Sequence, residues 1–239
     1  MKRVVRSRRG RIGLAVSGIV VIGVMAAASY YLFGLGGGAG AKATKATTAA
    51  PTLAATKDGV VFTIDPSASD ATFTIDEILF GRPNTVVGKT NQVAGQILIN
   101  TTDPAKSQIG QIRVDVSTLV TDNDFRNRAL QNRILETSDP ANQFAVFVAK
   151  TLTGLPTTTA GRAFGDSVTF QATGSLTVHQ VTRTVTFAIT VTVESATLIK
   201  GHAQTTVRYQ DFNLTMPSVP SVTGVSDNVT LALDFTAKA

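Results

Sequence analysis

The chain contains no cysteine and no tryptophan, and it has only two histidines among its 239 residues. Without cysteine it forms no disulfide, no thiolate-bound zinc or iron–sulfur cluster, and no thiol nucleophile. Two histidines argue against a histidine-rich metal site. A Gly-x-Ser-x-Gly nucleophile motif is also absent, which argues against a serine hydrolase of that type. The sequence therefore predicts neither a metal site nor a catalytic residue.

Negative charge is absent from the start of the chain, whereas positive and negative charges nearly balance from residue 60 onward. Six basic residues and no acidic residue precede residue 12, whereas residues 60–239 carry 13 Lys and Arg against 15 Asp and Glu. The net charge of +6 therefore belongs to the N-terminal region, and the remainder is near neutral at −2. Nucleic-acid-binding domains present a basic surface to phosphates. We therefore expect no nucleic-acid partner.

Residues 12–35, IGLAVSGIVVIGVMAAASYYLFGL, form a run of 24 residues without a charge, after a basic tail at residues 1–11. A helix needs about 20 apolar residues to cross a hydrocarbon core of about 30 Å. Basic flanks stay in the cytoplasm, so we expect a single-pass anchor in the cell membrane and an extracytoplasmic remainder. A signal peptide cleaved near residues 26–28 is the alternative and would release a secreted or periplasmic protein. The apolar YYLFGL beyond that site favours the anchor.

Residues 36–58 consist mostly of glycine, alanine, threonine and lysine. Segments of this composition bury too little apolar surface to fold, and they act as flexible tethers. We predict a linker over this range, followed by one folded domain at residues 59–239.

From residue 60 onward, apolar and polar residues alternate in short segments. The clearest is VTFAITVTV, residues 185–193, in which Val185, Phe187 and Ile189 alternate with threonine and alanine. Such alternation indicates a strand with one buried face, as found in antiparallel sheets with one solvated face. About nine or ten strands of this kind, with turn residues between them, predict an all-β sandwich or barrel.

Residues 121–136, TDNDFRNRALQNRILE, interrupt the alternation. Their apolar residues follow helical spacing, and Asp122 or Asn123 can cap the first turn. We expect one short helix across the otherwise all-β domain.

Several segments, in this order, resemble the YceI family of exported polyisoprenoid-binding proteins. They are FTIDPSASDATFTI, VDVSTLVTDNDFRNRAL, DPANQF, GSLTVHQVTRTVTF, YQDFNL and DNVTLALDF. The chain departs from the family pattern at Asn127, where the family usually has aspartate after arginine, and at Gln180, where it usually has glycine after histidine. These departures put in doubt the local turn geometry and any role of the missing carboxylate.

The resemblance implies an extended antiparallel β-barrel, lipocalin-like, with one short helix. It also implies that the interior holds the chain of an isoprenoid lipid, either a quinone or a polyprenyl lipid, with no further cofactor. The inward-facing apolar positions are then the predicted cavity lining: Phe73, Ile75, Val93, Ile97, Ile112, Val114, Phe144, Val146, Phe170, Leu176, Val178, Val185, Phe187, Ile189, Leu231 and Leu233.

Three polar residues are candidates for contact with a lipid head group, namely Arg126, Arg128 and His179. The arginines would meet a phosphate or the anionic face of the membrane. The alternative is a solvated helix face for the arginines and a structural position beside a turn for His179.

The predicted function is thus a membrane-tethered extracytoplasmic carrier of an isoprenoid lipid, without catalysis. Two other functions stay open: a structural, adhesion or stress-response domain with a filled core, and an enzyme that uses His179. An eight-stranded barrel can be filled by its own side chains or can hold one ligand. The identity of the lipid and the existence of a homodimer are also open.

Overall fold

A computed structural model describes residues 48–239. The basic tail, the apolar segment at residues 12–35 and most of the predicted linker lie outside the described residues. Within the part of the chain that the structure describes, no helix is long and apolar enough to cross a membrane.

The described chain is mostly antiparallel β-structure, in agreement with the alternating sequence pattern. Its strands are β1 (Gly59–Ile64), β2 (Asp70–Leu79), β3 (Arg82–Thr90), β4 (Val93–Ala94), β5 (Gln96–Asn100), β6 (Gln108–Ile109), β7 (Ile112–Asp115), β8 (Phe144–Thr153), β9 (Ser167–Val178), β10 (Val181–Ser195), β11 (Leu198–Arg208), β12 (Val222–Thr223) and β13 (Asn228–Lys238). Three of these are two-residue pieces, which is why they outnumber the nine or ten strands predicted.

The strands pair in the order β4-β7-β8-β9-β10-β11-β13-β1-β5-β6, and every neighbouring pair is antiparallel. β2 pairs with a second stretch of β13, and β3 and β12 pair with β2. Only Gly95 separates β4, at one end of this order, from β5, near the other end. The sheet is therefore strongly curled, as a half-barrel with one concave inner face.

The pair β9–β10 shows how the sequence directs this sheet. Its connection is the two-residue turn His179-Gln180, whose φ angles are 49° and 61°. Positive φ at both central residues is the geometry of a type I′ hairpin turn, which matches the twist of the strands. On the outer face the hydroxyls of Thr177 and Thr182 pair at 2.8 Å. The apolar residues of both strands consequently face inward.

The one short helix was correctly predicted. Helix α1 spans Asp124–Ala129 and continues as a π-helical turn over Leu130–Ile134. The side chain of Asn123 caps it, because Asn123 Oδ1 accepts the backbone N–H groups of Phe125 at 2.9 Å and Arg126 at 3.1 Å. This cap satisfies donors that have no partner within the helix.

The curled sheet has two different ends. At one end, Leu130 and Leu135 of the helical segment are buried with Val116 and Leu119 against the inner face. We call this the helix end, and it also carries the β9–β10 turn. The opposite end carries the β5–β6 loop (residues 101–107) and the β8–β9 loop (residues 154–166). We call it the loop end.

The main core fills part of the concave face between these ends. Phe147 and Phe187 form an edge-to-face pair, with ring centroids 4.9 Å apart and an interplanar angle of 66°, a favoured aromatic geometry. Leu176, Ala172 and Ile199 are among the most completely buried residues of this cluster. The outer face of the same strands is rich in threonine, so the two faces differ sharply in polarity.

An ion pair joins the start and the end of the domain. The carboxylate of Asp65, between β1 and β2, accepts hydrogen bonds from Lys238 Nζ at 2.6 Å and from the backbone N–H of Ser67 at 2.9 Å. The hydrogen bond from Lys238, followed by those from Ser67, lowers the pKa of Asp65 from 3.8 to about 2.

This pair predicts part of the acid sensitivity of the fold. A carboxylate whose pKa is lower in the folded state stabilises the fold above its unfolded-state pKa, and this stabilisation is lost as the pH falls through the folded-state pKa. The free energy of unfolding should therefore decrease between about pH 4 and about pH 2, and Asp65→Asn should flatten this decrease. Urea titrations of residues 48–239 across this range test it. Identical pH profiles for the two proteins would contradict the assignment.

Candidate ligand cavity

An apolar cavity lies inside the curled sheet, beneath the helical segment. Its volume is about 170 Å³. Strands from all sides contribute wall residues, most of them at alternating positions along a strand. The wall consists of Ile64, Ala71, Thr72, Phe73, Ile97, Ile109, Ile112, Val114, Val116, Leu119, Ala145, Phe147, Phe170, Leu176, Phe187, Ile189, Val191, Ala203, Leu231, Ala232, Leu233 and Phe235. Of these wall residues, Thr72 is the one with a polar side chain. We call this space the inner cavity.

A second cavity of about 440 Å³ adjoins it at the loop end. The two share the wall residues Ile97, Ile109, Phe170 and Val191, so they lie end to end along the concave face. This mouth cavity reaches exposed residues of both loops, and its volume falls within the range of about 300–1,000 Å³ that is usual for ligand sites. The two cavities are thus adjacent along the concave face, and the mouth cavity reaches the surface at the loop end.

The polar groups of the mouth cavity lie at its rim. They are the side chains of Thr101, Ser107, Gln108, Thr159, Arg162 and Asp166. Thr159 Oγ1 donates to the carbonyl oxygen of Thr101 at 3.1 Å and so joins the two loops. The arrangement is an apolar interior with a polar rim, which suits a ligand with a long apolar part and a polar end.

Ten of the sixteen residues predicted as lining lie in the wall of the inner cavity. They are Phe73, Ile97, Ile112, Val114, Phe170, Leu176, Phe187, Ile189, Leu231 and Leu233. Val93, Val178 and Val185 pack in the same core cluster but do not reach this wall, and Ile75 packs in a separate cluster with Val86 and Val229. None of these placements shows a ligand, so their role in binding stays a prediction.

In β8 the structure corrects the predicted face. The wall residues are Ala145 and Phe147, so Phe144 and Val146 lie on the outer face of that strand. The reason is that the outer face is also covered. The guanidinium of Arg113 stacks on the Phe144 ring at 4.1 Å from its centroid, and Arg113 Nη1 donates to the carbonyl oxygen of Ala49 at 2.9 Å.

The three head-group candidates all lie at the helix end, away from the mouth cavity. Arg126 is already paired with carboxylates, at 3.1 Å from Glu77 and in contact with Asp122. Arg128 stacks on the ring of Phe125, with 5.2 Å between guanidinium carbon and ring centroid. The carboxylates thus engage Arg126 within the protein, whereas Arg128 stays exposed beside an exposed ring.

His179 lies on the turn that its positive φ defines, with Nε2 3.3 Å from Glu136 Oε2. The second histidine, His202, lies on the outer face, where its Nδ1 is 2.7 Å from Asp234 Oδ1. The hydrogen bond with Asp234 raises the pKa of His202. Neither histidine lines the two cavities, and in the described residues no three His, Cys, Asp or Glu side chains converge as metal ligands.

Sequence reasoning missed most of the mouth cavity. Its wall includes Leu152 of β8 and then Leu155, Pro156, Arg162 and Phe164 of the β8–β9 loop. Residues in loops have no period from which a facing direction can be predicted. The available signal was compositional: Leu155, Pro156, Phe164 and an arginine stand in a loop otherwise rich in glycine, alanine and threonine.

Comparisons with known proteins agree with this architecture. A polyisoprenoid-binding domain from Saccharophagus degradans, implicated in plant cell wall breakdown, superposes with a TM-score of 0.57 at 19% identity, over 74% of this chain and 98% of that one. Burkholderia cenocepacia BcnA superposes with a TM-score of 0.56 at 18% identity, over 73% and 99% of the two chains. At such identities these likenesses establish the fold. Among curated proteins, none matches the chain.

Family membership follows from the sequence profile that fits the folded part of the chain. The profile described as the YceI-like domain matches residues 62–237, from the middle of β1 to the end of β13. The chain therefore belongs to the YceI-like domain family.

Proposed function

We propose that this protein is a membrane-tethered extracytoplasmic carrier, which holds the isoprenoid tail of a quinone or polyprenyl lipid inside its curled sheet. The observation that carries the proposal is the pair of adjoining apolar cavities, the inner and the mouth cavity, along the concave face. The name of the Saccharophagus degradans relative, a polyisoprenoid-binding domain, supports this ligand class. A structural domain with a filled core, the second hypothesis, would have bulky side chains meeting across this space.

The proposal includes that the curled sheet closes into an extended, lipocalin-like barrel. What supports closure is that β4 pairs with β7 while β5, one residue later, pairs with β1. In such a barrel, burying the tail contributes about 25 cal/mol per Å² of apolar surface. The cost of ordering a flexible chain reduces this gain. A long, weakly specific apolar interior therefore leaves selectivity to cavity length and to the rim.

The lipid is proposed to enter tail first from the loop end. Leu130 and Leu135 cover the helix end, whereas the loop end presents polar side chains around the mouth. Burying a polar head group without partners costs several kcal/mol, roughly 2–7. The head group consequently stays at the rim, near Thr101, Gln108 and Arg162, and not near Arg126, Arg128 or His179.

The cellular location in this proposal rests on the N-terminal sequence. Residues 12–35 act as the anchor, the basic residues 1–11 stay in the cytoplasm, and the domain lies outside. This location places the cavity beside the lipids that it would carry.

Analysis of co-purifying lipid tests the ligand directly. Residues 48–239 would be exported behind a cleavable signal peptide, purified without detergent, extracted with solvent and analysed by mass spectrometry. We expect an isoprenoid lipid in the extract, and after its removal we expect added quinone or polyprenyl phosphate to raise the melting temperature. An extract without lipid, together with an unchanged melting temperature, would refute the proposal.

A side chain that fills the inner cavity should prevent lipid binding. Ala203 lies in the cavity wall, so Ala203→Phe places a ring in the space of the tail. We expect bound lipid to fall at least about tenfold, equivalent to about 1.4 kcal/mol, while overpacking lowers the free energy of unfolding by about 1–3 kcal/mol. The measurement is lipid per folded protein.

The matched control is Ala188→Phe. Ala188 lies on β10 next to Ile189, the partner of Ala203, but it is exposed on the outer face. This variant should keep its lipid, and equal losses in the two variants would argue against a ligand in the inner cavity.

A further inference from the structure

A large aromatic side chain stands out at the rim of the mouth cavity. The side chain of Phe164 is 65% exposed, although it also contributes to the cavity wall. Leu155 and Pro156 lie in the same wall, and Arg162 is exposed two residues before the aromatic ring. An exposed aromatic residue beside apolar neighbours and a cation is typical of surfaces that meet a partner or a membrane.

Hydrogen bonds to β10 and within the loop fix the backbone on both sides of this ring. The backbone N–H of Gly165 donates to the carbonyl oxygen of Val193 at 2.8 Å. The carboxylate of Asp166 accepts the N–H of Ala163 at 2.8 Å. Gly161 and Gly165 have φ angles of 77° and 93°, values that favour glycine. The exposed ring thus lies in a turn whose backbone is fixed by hydrogen bonds and by two glycines with positive φ.

The rim offers one basic side chain, Arg162, to an anionic surface. No ion pair is found for Arg162 among the described residues, and the nearby carboxylate of Asp166 is engaged by the loop backbone. Lys106, in the opposite loop, pairs with Asp103 at 3.1 Å. Arg162 is thus a basic residue without an ion pair within residues 48–239, two positions before the exposed ring of Phe164.

We propose that the loop end docks on the anionic surface of a lipid bilayer, with Phe164 inserted among the acyl chains and Arg162 on the lipid phosphates. This inference rests on the proposed function, because a carrier must exchange its lipid with a membrane. Docking the mouth on the bilayer lets the tail pass without crossing water, and that transfer would otherwise expose all of its apolar surface.

Two other exposed phenylalanines lie at the opposite, helix end and are alternative docking residues. Phe80, on the β2–β3 turn, is 79% exposed, and Phe125, on α1, is 77% exposed. Both are more exposed than Phe164, but Phe125 lies on the helical segment and Phe80 on a hairpin that Glu77 joins to Arg126 of that segment. Neither lines the mouth cavity. The predicted tether does not choose between the ends, since residues 36–47 can span up to about 40 Å. We choose the loop end because the mouth cavity opens there.

The absence of tryptophan from the chain allows a site-by-site test. Phe164→Trp, Phe80→Trp and Phe125→Trp each introduce one fluorophore at a position of similar exposure. The full chain would be reconstituted into vesicles of phosphatidylcholine and phosphatidylglycerol, with or without brominated acyl chains. We expect brominated chains to quench the tryptophan at 164 several-fold more strongly than those at 80 and 125, with a blue-shifted emission at 164.

Charge and cavity variants separate docking from lipid binding. Adding Arg162→Gln to Phe164→Trp should lower the ratio of docked to undocked protein about fivefold in the anionic vesicles, and little in pure phosphatidylcholine. Adding Ala203→Phe should leave the quenching unchanged, because docking does not need an occupied inner cavity.

The outcomes distinguish the two proposals. Equal quenching at 164, 80 and 125, or stronger quenching at the helix end, would overturn the docking proposal even if isoprenoid lipid co-purifies. Quenching at 164 that disappears with Ala203→Phe would also overturn it, because the bromine would then report lipid in the cavity. Quenching at 164, combined with an extract without isoprenoid and a melting temperature that added lipid leaves unchanged, would support docking and refute only the ligand.

Discussion

Asp115→Ala should destabilise the domain by about 3 kcal/mol, since it removes charge-assisted hydrogen bonds and leaves a buried donor unpaired. Asp115 is completely buried at the end of β7, with 0% of its surface exposed. Its carboxylate accepts the backbone N–H of Ser117 at 3.1 Å, and also the Ser117 hydroxyl. Its second oxygen accepts Nε2 of Gln143 at 3.1 Å.

The backbone of residue 115 makes two further hydrogen bonds, which alanine at this position would keep. The Asp115 N–H donates to the carbonyl oxygen of Gln92 at 2.9 Å, and the Asp115 carbonyl accepts Thr118 Oγ1 at 2.7 Å. These bonds tie β7 to the entry of β4 and to the turn below the helix end. Urea unfolding of residues 48–239, followed by circular dichroism, measures the loss.

Asp103→Ala is the control for this prediction. Asp103 also caps a short 3-10 turn, where its carboxylate accepts the N–H of Ala105 at 3.2 Å, but it lies near the surface. Loss of an ordinary cap costs about 1 kcal/mol. Equal losses in the two variants would show that burial of Asp115 adds nothing to its effect.

Gly174→Ala should destabilise the domain to a similar extent, by about 3 kcal/mol, because the strand β9 has no room for a Cβ at this position. A Cβ on Gly174 would overlap the carbonyl oxygen of Val148 and would lie 2.9 Å from the Ala149 Cα. Both obstacles are backbone atoms of β8, next to the irregularity in its pairing with β9 between Ala149 and Thr151. A rotamer change cannot relieve this overlap, so strand pairing must shift.

Ser175→Ala provides the comparison on the same strand. Ser175 points to the outer face and already carries a Cβ, so its replacement adds no atom to the inside. We expect a change within about 0.5 kcal/mol, as for surface substitutions. Thermal and urea unfolding measure both variants, and a stable Gly174→Ala protein with unchanged unfolding would contradict the packing of β8 against β9.

Much of the inner face could be predicted from single strands. In β9, β10 and β13, one parity carries bulky apolar residues and the other carries mostly threonine and other small or polar residues. Only one face can then be buried, and Leu176, Ile189 and Leu233 lie inward as the pattern predicts. The helix was predictable for a similar reason, because a cap residue and a helical spacing are local signals.

The prediction was less reliable where both faces of a strand carry apolar residues. In β8 the outward Phe144 and Val146 are as apolar as the inward Ala145 and Phe147, because Arg113 covers part of the outer face. The arginine comes from another strand, so no pattern within β8 reports it. The head-group candidates were placed at the helix end for a related reason: charge is visible in the sequence, but its partners, such as Glu77 for Arg126, are distant along the chain.

Residue order alone was sufficient for the class of fold, the helix, the polarity of the long strands and the family, because each depends on contacts or periods within a few residues. Tertiary structure decided which end of the curled sheet is covered, where the cavity reaches the surface and which charged residues lie at its rim. These features arise from loops and strands far apart in sequence, such as residues 101–107 and 154–166, that meet only after the sheet has curled. The direction from which a ligand would enter is therefore a property of the folded molecule, whereas the apolar inner face can be predicted from the alternation of apolar and polar residues along the strands.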